Sequence, residues 1–575
     1  MKLIKILVIG TLLSLVGCAT QLQQGKMNDS REQFKRGDLH ATVATIDGAF
    51  QSKNTLYHLE MGEAQRLLSP TQIPRSTQNL LFADQQVSRW EIQTSERLKS
   101  SLSDIGSYLL SEGLSNDYDL KLYEMGLLSQ HLSINHIAQG RWNDAMVEAK
   151  KMAQREKLIE ELIQKKVSAI ADTQANQQNN QNTKGSTNRI EEINGYPINL
   201  LDDYETRNLK NSYQNPSSYY LSAFIYESQG ETSLAAPGYR LATELRPSVD
   251  FFKTSLANLD KNIKNKQKIE DADTLIIIDT GYIPKITPFK INKTFNIGSG
   301  PKIITMTFPV IEQSSELFTP SMVEIGGQSI RSELTSSIDS MSRKNLKDDM
   351  PAYVLRATSR AIVSLVAQVA ADRAAQQRNK NNNNALAGAL AGVITGIALQ
   401  AVNVTDVRHW STLPAQTYMA RVRLPVGQST LKYSTPLGAT LSQSVNLVKG
   451  YNVVYLRMFR DKASILTSND PRALPVKAEV ILSNEPPKTL ITPNGSSSGS
   501  LADEEKVSLF NQLKSFVTPT NATKAPNPDN LAPAPSEKID LSPPDKVDNV
   551  KEPSSPAQPN LFDSVKQFLD KKDSP

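Results

Sequence analysis

Residues Tyr219–Pro247, YYLSAFIYESQGETSLAAPGYRLATELRP, decide the fold of the first half of this 575-residue chain. The apolar positions before Gly230 are Tyr220, Ala223, Phe224 and Tyr226, and those after it are Leu234, Ala235, Tyr239, Ala242 and Leu245. Both sets recur at helical spacing. A glycine between two such runs is typical of a turn between helices, and Pro247 is a stop signal. The stretch therefore predicts two antiparallel helices in close contact.

Two earlier stretches repeat this pattern. In the first, Phe34 to Leu39 contains Gly37 and is followed by Ala41 and Ala44, and in the second, Ile134 to Ala149 contains Gly140, Trp142, Ala145 and Ala149. These segments resemble tetratricopeptide repeats, in which small residues permit close helix contact and a glycine makes the turn. We expect a helical repeat domain over residues 29–265, with a plain helical bundle as the alternative.

Residues 174–188 differ in composition from the helices around them. Gln, Asn, Thr and Ser dominate this segment, which therefore buries too little apolar surface to order itself. We expect a disordered insert here, and we expect the preceding helix, Met146 to Ile170, to run out into solvent.

Beyond Asp271 the hydrophobic period changes to that of strands. Candidate strands are Thr274–Asp279, Lys302–Val310, Tyr418–Leu424, Leu441–Val448, Tyr451–Arg460 and Val476–Leu482. Gly450 lies where a hairpin would turn between two of them. We therefore expect an antiparallel β-rich domain over residues 271–485, built as a sandwich or a barrel. The fold class expected is α+β, with the helical repeats first.

A helical insertion interrupts the strands at about residues 349–402. Asp349 and Pro351 give a helix-start signal, and apolar residues then recur at helical spacing up to Arg378. Residues 385–402 follow as eighteen residues without a charge, in which Gly388, Gly392 and Gly396 lie four apart. Such a row allows another helix to approach closely. We expect a helical hairpin that is buried or touches a membrane surface rather than spanning it, and homo-oligomer formation through the glycine row as a further role.

The N-terminus has the order of a lipoprotein signal. Lys2 and Lys5 precede the apolar run Ile6–Val16, and Gly17 precedes Cys18, the only cysteine in the chain. An ordinary secretory signal or a membrane helix is the alternative, but the run is short for a span of ~20 residues. We expect residues 1–17 to be removed, Cys18 to carry lipid, and residues 18–28 to act as a linker. The stretch resembles bacterial lipoprotein signals, and this resemblance, with Ala19 rather than Asp after the cysteine, implies the periplasmic side of the outer membrane.

The composition and the motifs of the chain favour a protein without catalysis. The net charge of +5 and the aromatic content of 6% indicate no nucleic-acid partner. His131 and His136 are five residues apart, on different helix faces, so no metal site is expected. Residues Gly298 to Lys302 lack the remainder of a P-loop, so no cofactor is expected either. Asp406, His409 and Ser411 are too close along the chain to converge as a hydrolase triad, and we favour a structural role in which Trp410 fills a core and Asp406 pairs with Arg408 or caps a turn.

The block Asp406, Arg408, Trp410, Leu413 and Pro414 carries a second resemblance. With the lipoprotein signal and the Tyr219–Pro247 region, it resembles a family of uncharacterised bacterial periplasmic lipoproteins that pair an N-terminal tetratricopeptide-like region with a C-terminal β-rich domain. The resemblance spans about residues 18–460. It implies an outer-membrane lipoprotein of unsettled biochemical role, in some cases encoded near activators of peptidoglycan synthases.

Residues 489–575 form a tail rich in Pro, Ser and Asn, which we expect to be disordered. The tail contains one repeated amphipathic pattern, formed by Leu509, Phe510, Leu513 and Phe516 and again by Leu561, Phe562, Val565 and Phe568. Each copy is suited to docking in a partner groove, and two copies gain from avidity. A helix that folds back on its own domain is an equal alternative.

The function expected from these features is a lipid-anchored scaffold that collects periplasmic or outer-membrane proteins through its helical repeats and its tail. One alternative is a structural component of an envelope assembly such as a secretion, flagellar or pilus apparatus. The other is a lipoprotein associated with peptidoglycan synthesis.

Overall fold

A computed structural model describes residues 23–111, 118–179, 195–264, 270–297, 300–314, 316–320, 322–379 and 405–474. Helices dominate up to residue 264 and strands dominate after it, which confirms a mixed α+β fold. Several sequence predictions lie outside the described residues: those for Cys18, the glycine row Gly388, Gly392 and Gly396, the strand Val476–Leu482, and the tail.

The helical region is a succession of paired helices. These are α1 (residues 23–35), α2 (Leu39–Ala49), α3 (Thr55–Leu68), α4 (Ile73–Arg97), α5 (Leu102–Ser111), α6 (Leu122–Ala138), α7 (Trp142–Asn179), α8 (Tyr204–Asn208), α9 (Pro216–Ser228), α10 (Thr232–Leu245) and α11 (Asp250–Lys264). Helix α2 packs on α3, α4 on α6, α7 on α9 and α10 on α11, in addition to the contacts within each pair.

Three of the helix pairs turn at a glycine with the same geometry. Gly37, Gly140 and Gly230 have φ of 69°, 72° and 77°. In each turn the residue after the glycine donates its N–H to the carbonyl five positions earlier: Asp38 to Gln33, Arg141 to His136 and Glu231 to Tyr226. This is the Schellman arrangement, which requires a left-handed residue and so favours glycine. The next helix begins two residues after each glycine.

The buried faces of the quoted stretch agree with the sequence except at one position. Tyr220, Phe224 and Tyr239 are fully buried, but Leu234 is 41% exposed. The assignment of Leu234 to the inner face of α10 was therefore wrong. Ala235, one residue further on, is buried instead.

Helix α7 also differs from expectation, because it continues to Asn179 and so includes the first residues of the segment predicted to be disordered. Gln is a good helix former, and polar composition alone does not end a helix. The distal part of α7 does not run out into solvent either. Ile105 and Leu109 of α5 pack there on Ala169, and Thr173 is buried.

The strands form three sheets. They are β1 (Ala272–Thr280), β2 (Ile286–Ile297), β3 (Gly300–Ile311), β4 (Met322–Ile325), β5 (Gln328–Arg331), β6 (Glu333–Ser337), β7 (Gln416–Leu424), β8 (Gly427–Ser434), β9 (Thr440–Leu447), β10 (Gly450–Met458) and β11 (Ala463–Thr467). One sheet has the order β11-β10-β1-β7-β6, another the order β5-β4-β8-β9, and β2 and β3 form a two-stranded ribbon.

The five-stranded sheet is buried on both faces. Along β1, Leu275 and Ile277 pack against the helices, whereas Ile276 and Ile278 pack against the four-stranded sheet. This alternation follows from the two-residue period of a strand. The result is three layers, in which helices and a second sheet cover the two faces of the central sheet.

The hairpin predicted at Gly450 is wrong. The φ of Gly450 is 94°, as at a sharp turn, but the strands on its two sides enter different sheets. Strand β9 pairs with β8, and β10 pairs in parallel with β1. Seven of the nine residues of β10 are buried, so this strand gains more from the central sheet than from its neighbour in sequence. The sheets are thus rich in antiparallel pairs but not wholly antiparallel.

The helix predicted from Asp349 begins earlier. Helix α12 spans Ile338–Asn379 and contains Pro351 in its interior. Ser337 starts the helix, since its hydroxyl accepts a hydrogen bond from the Ser340 N–H at 3.2 Å. Leu346, Met350 and Val354 pack against Ile304, Met306 and Phe308 of the ribbon, and this packing offsets the hydrogen bond that Pro351 lacks.

Within the described residues, none of the helices combines the length and the apolar character needed to span a bilayer.

Candidate functional site

The segment of residues 406–415, here called the Trp410 loop, lies between the helices and the start of β7. Trp410 is fully buried, and its ring centroid lies 5.3 Å from that of His131 on α6. Leu413 is also fully buried, and its carbonyl accepts a hydrogen bond from the Ile283 N–H at 3.1 Å. Pro414 is buried beside it. The loop is therefore part of the core, as the structural interpretation of Trp410 predicted.

Two buried carboxylates hold the backbone of the Trp410 loop. Glu60 of α3 accepts the N–H groups of Ser411 and Thr412 at 2.6 and 3.2 Å. Glu124 of α6 accepts the Trp410 N–H at 2.9 Å. Burial raises the pKa of Glu60 to about 7, although these hydrogen bonds oppose the shift, and burial likewise raises the pKa of Glu124. The backbone N–H groups of Trp410, Ser411 and Thr412 are thus paired, whereas the indole N–H of Trp410 has no hydrogen-bond partner among the described residues.

The contacts of Asp406, His409 and Ser411 are those of a structural loop. Arg408 donates to both carboxylate oxygens of Asp406, at 2.9 and 2.8 Å. The ring nitrogens of His409 lie 3.2 Å from the Val407 carbonyl and 3.3 Å from Arg31, so neither is directed at Ser411. Burial, followed by the charge of Arg31, lowers the pKa of His409 to about 3.

Behind Trp410, a chain of polar groups crosses from the helices to the sheet. His131 Nδ1 lies 2.9 Å from a Glu63 oxygen, and Arg66 Nε lies 3.5 Å from the same oxygen. Burial disfavours the Glu63 charge, but Arg66 and His131 outweigh it and bring the pKa of Glu63 to about 2. The Arg66 guanidinium lies 4.4 Å from the ring centroid of Tyr455, whose hydroxyl donates to Asp279 at 2.8 Å.

Arg457 lies on the same face of β10 as Tyr455, two residues further on. Its guanidinium carbon is 5.1 Å from the ring of Tyr282, 5.5 Å from that of Phe34 and 6.0 Å from that of Phe459. Arg457 is fully buried, and its three guanidinium nitrogens have no hydrogen-bond partner among the described residues. Aromatic faces attract this cation but do not accept its N–H groups as an oxygen would.

Arg421 on β7 forms a second polar contact between the sheet and the helices. Its guanidinium donates to both oxygens of Glu227 on α9, each at 3.0 Å, and to both of Asp273 on β1, at 2.9 and 2.8 Å. The hydroxyls of Tyr239 and Tyr451 also donate to Glu227. Each carboxylate is thereby held in the bidentate geometry that suits a guanidinium.

None of these contacts between the helices and the sheet was predicted from the sequence. Glu60, Glu63 and Arg66 are three residues apart along α3, among buried apolar neighbours. Charges at helical spacing on an apolar face are a signal for buried ion pairs, and this signal could have found them. Arg421, by contrast, sits in an alternating strand whose partners are distant in sequence.

The described portion of the chain contains no group of three or more His, Cys, Asp or Glu side chains placed to hold a metal ion. The arrangement joins helices to a sheet through Glu60, Glu124, Arg421 and their partners.

Comparisons with models of protein families, with curated proteins and with solved structures give no match to this chain.

Proposed function

We propose that this protein is a lipid-anchored scaffold on the periplasmic side of the outer membrane, of the lipoprotein family that its sequence resembles. It binds partner proteins through its helical repeats and its tail motifs and carries out no catalysis. Cys18, after its apolar run and Gly17, supports the anchor.

The observation that carries the proposal is the repeated turn geometry of Gly37, Gly140 and Gly230. The three turns share the sign of φ, the hydrogen-bond pattern and the distance to the next helix. This repetition supports assigning the helix pairs as tetratricopeptide-like repeats. Stacked repeats of this kind present extended surfaces to proteins, which is the task of a scaffold.

The buried polar contacts between the sheet and the helices also favour the role of a scaffold. Arg421 ties α9 to the central sheet through a buried ion pair. The Trp410 loop, which leads into β7, binds α6 and α3 through Glu124 and Glu60. A repeat array backed by a sheet keeps its binding surface ordered before a partner arrives, which lowers the entropic cost of binding.

The test is photocrosslinking in living cells with a photoreactive residue at Phe510 or Phe562, and at Asn521 as a control in the same tail. We expect a defined envelope protein to be captured from the two motif positions and not from Asn521. Crosslinks only to the protein itself would overturn the scaffold and favour self-assembly. The anchor is tested separately with Cys18→Ser, which is expected to move the protein from the membrane fraction to the soluble periplasm.

A further inference from the structure

Strand β9 is one edge of the four-stranded sheet, and among the described strands it pairs with β8 alone. The turn that joins the two strands sets which backbone groups of β9 are used. Thr435 donates its N–H to the Ala439 carbonyl at 2.8 Å, and Gly438 donates to the Thr435 carbonyl at 2.9 Å. Because bonded and non-bonded pairs alternate along an antiparallel ladder, every second residue of β9 bonds to β8, beginning with Leu441.

The residues between these bonded positions direct their backbone to the open side of β9. They are Thr440, Ser442, Ser444 and Asn446, and their side chains are exposed. No described residue bonds to their outward N–H and C=O groups. A row of unpaired backbone groups at a sheet edge is a template for a further strand.

The sequence of β9 contains none of the features that usually block such an edge. Residues 439–448 include no Asp, Glu, Lys, Arg or Pro. The pairing of β9 with β8 is also continuous, without a bulge. Charges, prolines and bulges are the devices by which soluble proteins prevent edge pairing, so β9 is open to it.

The other described edges differ from β9 in this respect. Strand β5 has only four residues and includes Arg331. A bulge interrupts β6 between Leu334 and Ser336, and β11 lies against α3. The two strands of the ribbon contain Pro288 and Pro309, which lack a donor.

The backbone of β9 matches a second copy of itself in one antiparallel register. With the two-fold axis at Gln443, Ser442 faces Ser444 of the second copy, and Thr440 faces Asn446 of the second copy. All four outward residues then enter hydrogen-bonded pairs. Because this register preserves the two-residue alternation, the inner face of one sheet continues into the inner face of the other.

The side chains agree with the same register. On the inner face Leu441 lies opposite Val445 of the second copy, so an apolar residue meets an apolar one. The two Gln443 amides face each other and can exchange hydrogen bonds. On the outer face the pairs are hydroxyls and an amide, and no like charges meet across the axis.

We propose that β9 is a homodimer interface, at which two copies of this chain pair edge to edge and join their four-stranded sheets into one. The contact uses the same patch on both copies, so assembly stops at the dimer. This interface is separate from the glycine row, and it does not depend on the lipid anchor or on the scaffold function.

Thiol crosslinking tests the register in the full chain carrying Cys18→Ser, which leaves an introduced cysteine as the only thiol. Gln443→Cys places two Cβ atoms about 5 Å apart across the axis. Thr440→Cys is the matched control on the same strand, because its two copies lie six residues apart in this register, ~20 Å. We expect mild oxidation to give at least tenfold more covalent dimer from position 443 than from position 440.

Sedimentation of the full chain over a concentration series tests the interface without a crosslink. Ser442→Lys combined with Ser444→Lys places like charges opposite each other, and we expect dimerisation to weaken at least tenfold. Gln428→Lys combined with Thr430→Lys adds the same charge to the same face of β8 and is the control. Unchanged urea midpoints in both variants would exclude misfolding as the cause.

Three results would overturn the inference. The first is a monomer at every concentration. The second is a dimer that crosslinks equally from positions 440 and 443, or that persists when Ser442 and Ser444 are replaced, since the copies then meet elsewhere. The third is a chain whose position 443 crosslinks to a different envelope protein and not to itself, which would assign the edge to a partner's strand.

Discussion

Arg421 on β7 and Arg457 on β10 both point from the central sheet toward the helices, but they are held in different ways. Arg421 has two bidentate carboxylate partners, Glu227 and Asp273. Arg457 has three aromatic rings around it and no acceptor among the described groups. The first contact is directional and fixes α9 against the sheet, whereas the second allows α1 to pack without a specific alignment.

This difference shows which of the two contacts fixes the helices against the sheet. A buried ion pair that loses one partner leaves a buried charge, so its loss is costly. A buried cation without acceptors already lacks those hydrogen bonds, so its replacement by an apolar side chain costs little. Substitutions at both kinds of contact test this contrast, in order of decreasing effect.

Arg421→Met is expected to have the largest effect. The substitution leaves Glu227 and Asp273 buried without their cation, and we expect the free energy of unfolding to fall by about 3–5 kcal/mol. Urea denaturation followed by circular dichroism measures the change. Arg423→Met, two residues along the same strand and exposed, is the control and should change stability by less than about 0.5 kcal/mol. Equal losses in the two variants would refute the contrast.

Glu60→Gln extends the comparison to a carboxylate held by backbone N–H groups. Gln offers one acceptor oxygen where Glu60 offers two, and its amide would face the second N–H. We expect a loss of about 1–3 kcal/mol at about pH 4, where Glu60 is protonated and both of its oxygens still accept, and this loss shrinks as pH rises through about 7 because Gln avoids the buried charge. Glu161→Gln, on the exposed side of α7, controls for the loss of a charge. An unchanged urea midpoint would mean that Glu60 does not hold the Trp410 loop.

Glu156 differs from Glu60 in that its carboxyl accepts a hydrogen bond from a side-chain hydroxyl, that of Tyr219. Burial raises its pKa from 4.5 to about 8, against the smaller opposing effect of Tyr219. The folded protein therefore keeps a proton that the unfolded chain releases, and stability falls as pH rises through this window. Gln cannot ionise, so Glu156→Gln is expected to gain about 1–2 kcal/mol over the native protein between about pH 5 and pH 8.

Measuring the free energy of unfolding at a series of pH values checks whether the native protein loses stability, relative to Glu156→Gln, as pH rises. The Glu161→Gln variant should follow the native curve. A steeper decline in Glu156→Gln than in the native protein would contradict the assignment.

Arg457→Met is expected to have the smallest effect. Methionine keeps contacts with Phe34, Tyr282 and Phe459, and the N–H groups that it removes have no acceptor among the described groups. We expect stability to change by less than about 1 kcal/mol. A loss as large as that of Arg421→Met would show that Arg457 binds acceptors of its own.

The local features of this fold could be predicted from sequence. Gly37, Gly140 and Gly230 lie between apolar runs of helical period, and the left-handed turn needs glycine whatever the surroundings. Trp410, a large apolar residue among polar neighbours, was likewise expected to fill a core. Both signals depend on a few consecutive residues.

The remaining features depend on distant partners. Gly450 looks like a hairpin turn locally, but β10 pairs with β1 across more than 170 residues, as the register Ile277 to Tyr455 shows. Pro351 looks like a helix start, but packing against the ribbon keeps it inside α12. The partners of Arg421 could not be inferred for the same reason, because no local pattern identifies Glu227 or Asp273.

We expect the helices and the central sheet to unfold as one cooperative body, which the Arg421 ion pair holds together. Native-state hydrogen exchange in graded urea tests it most directly, by comparing amides of α9 with those of β1. We predict that both sets exchange through one opening with the same free energy, and that Arg421→Met lowers that free energy equally in both. Exchange of α9 ahead of β1, with Arg421→Met affecting only one of them, would contradict the account.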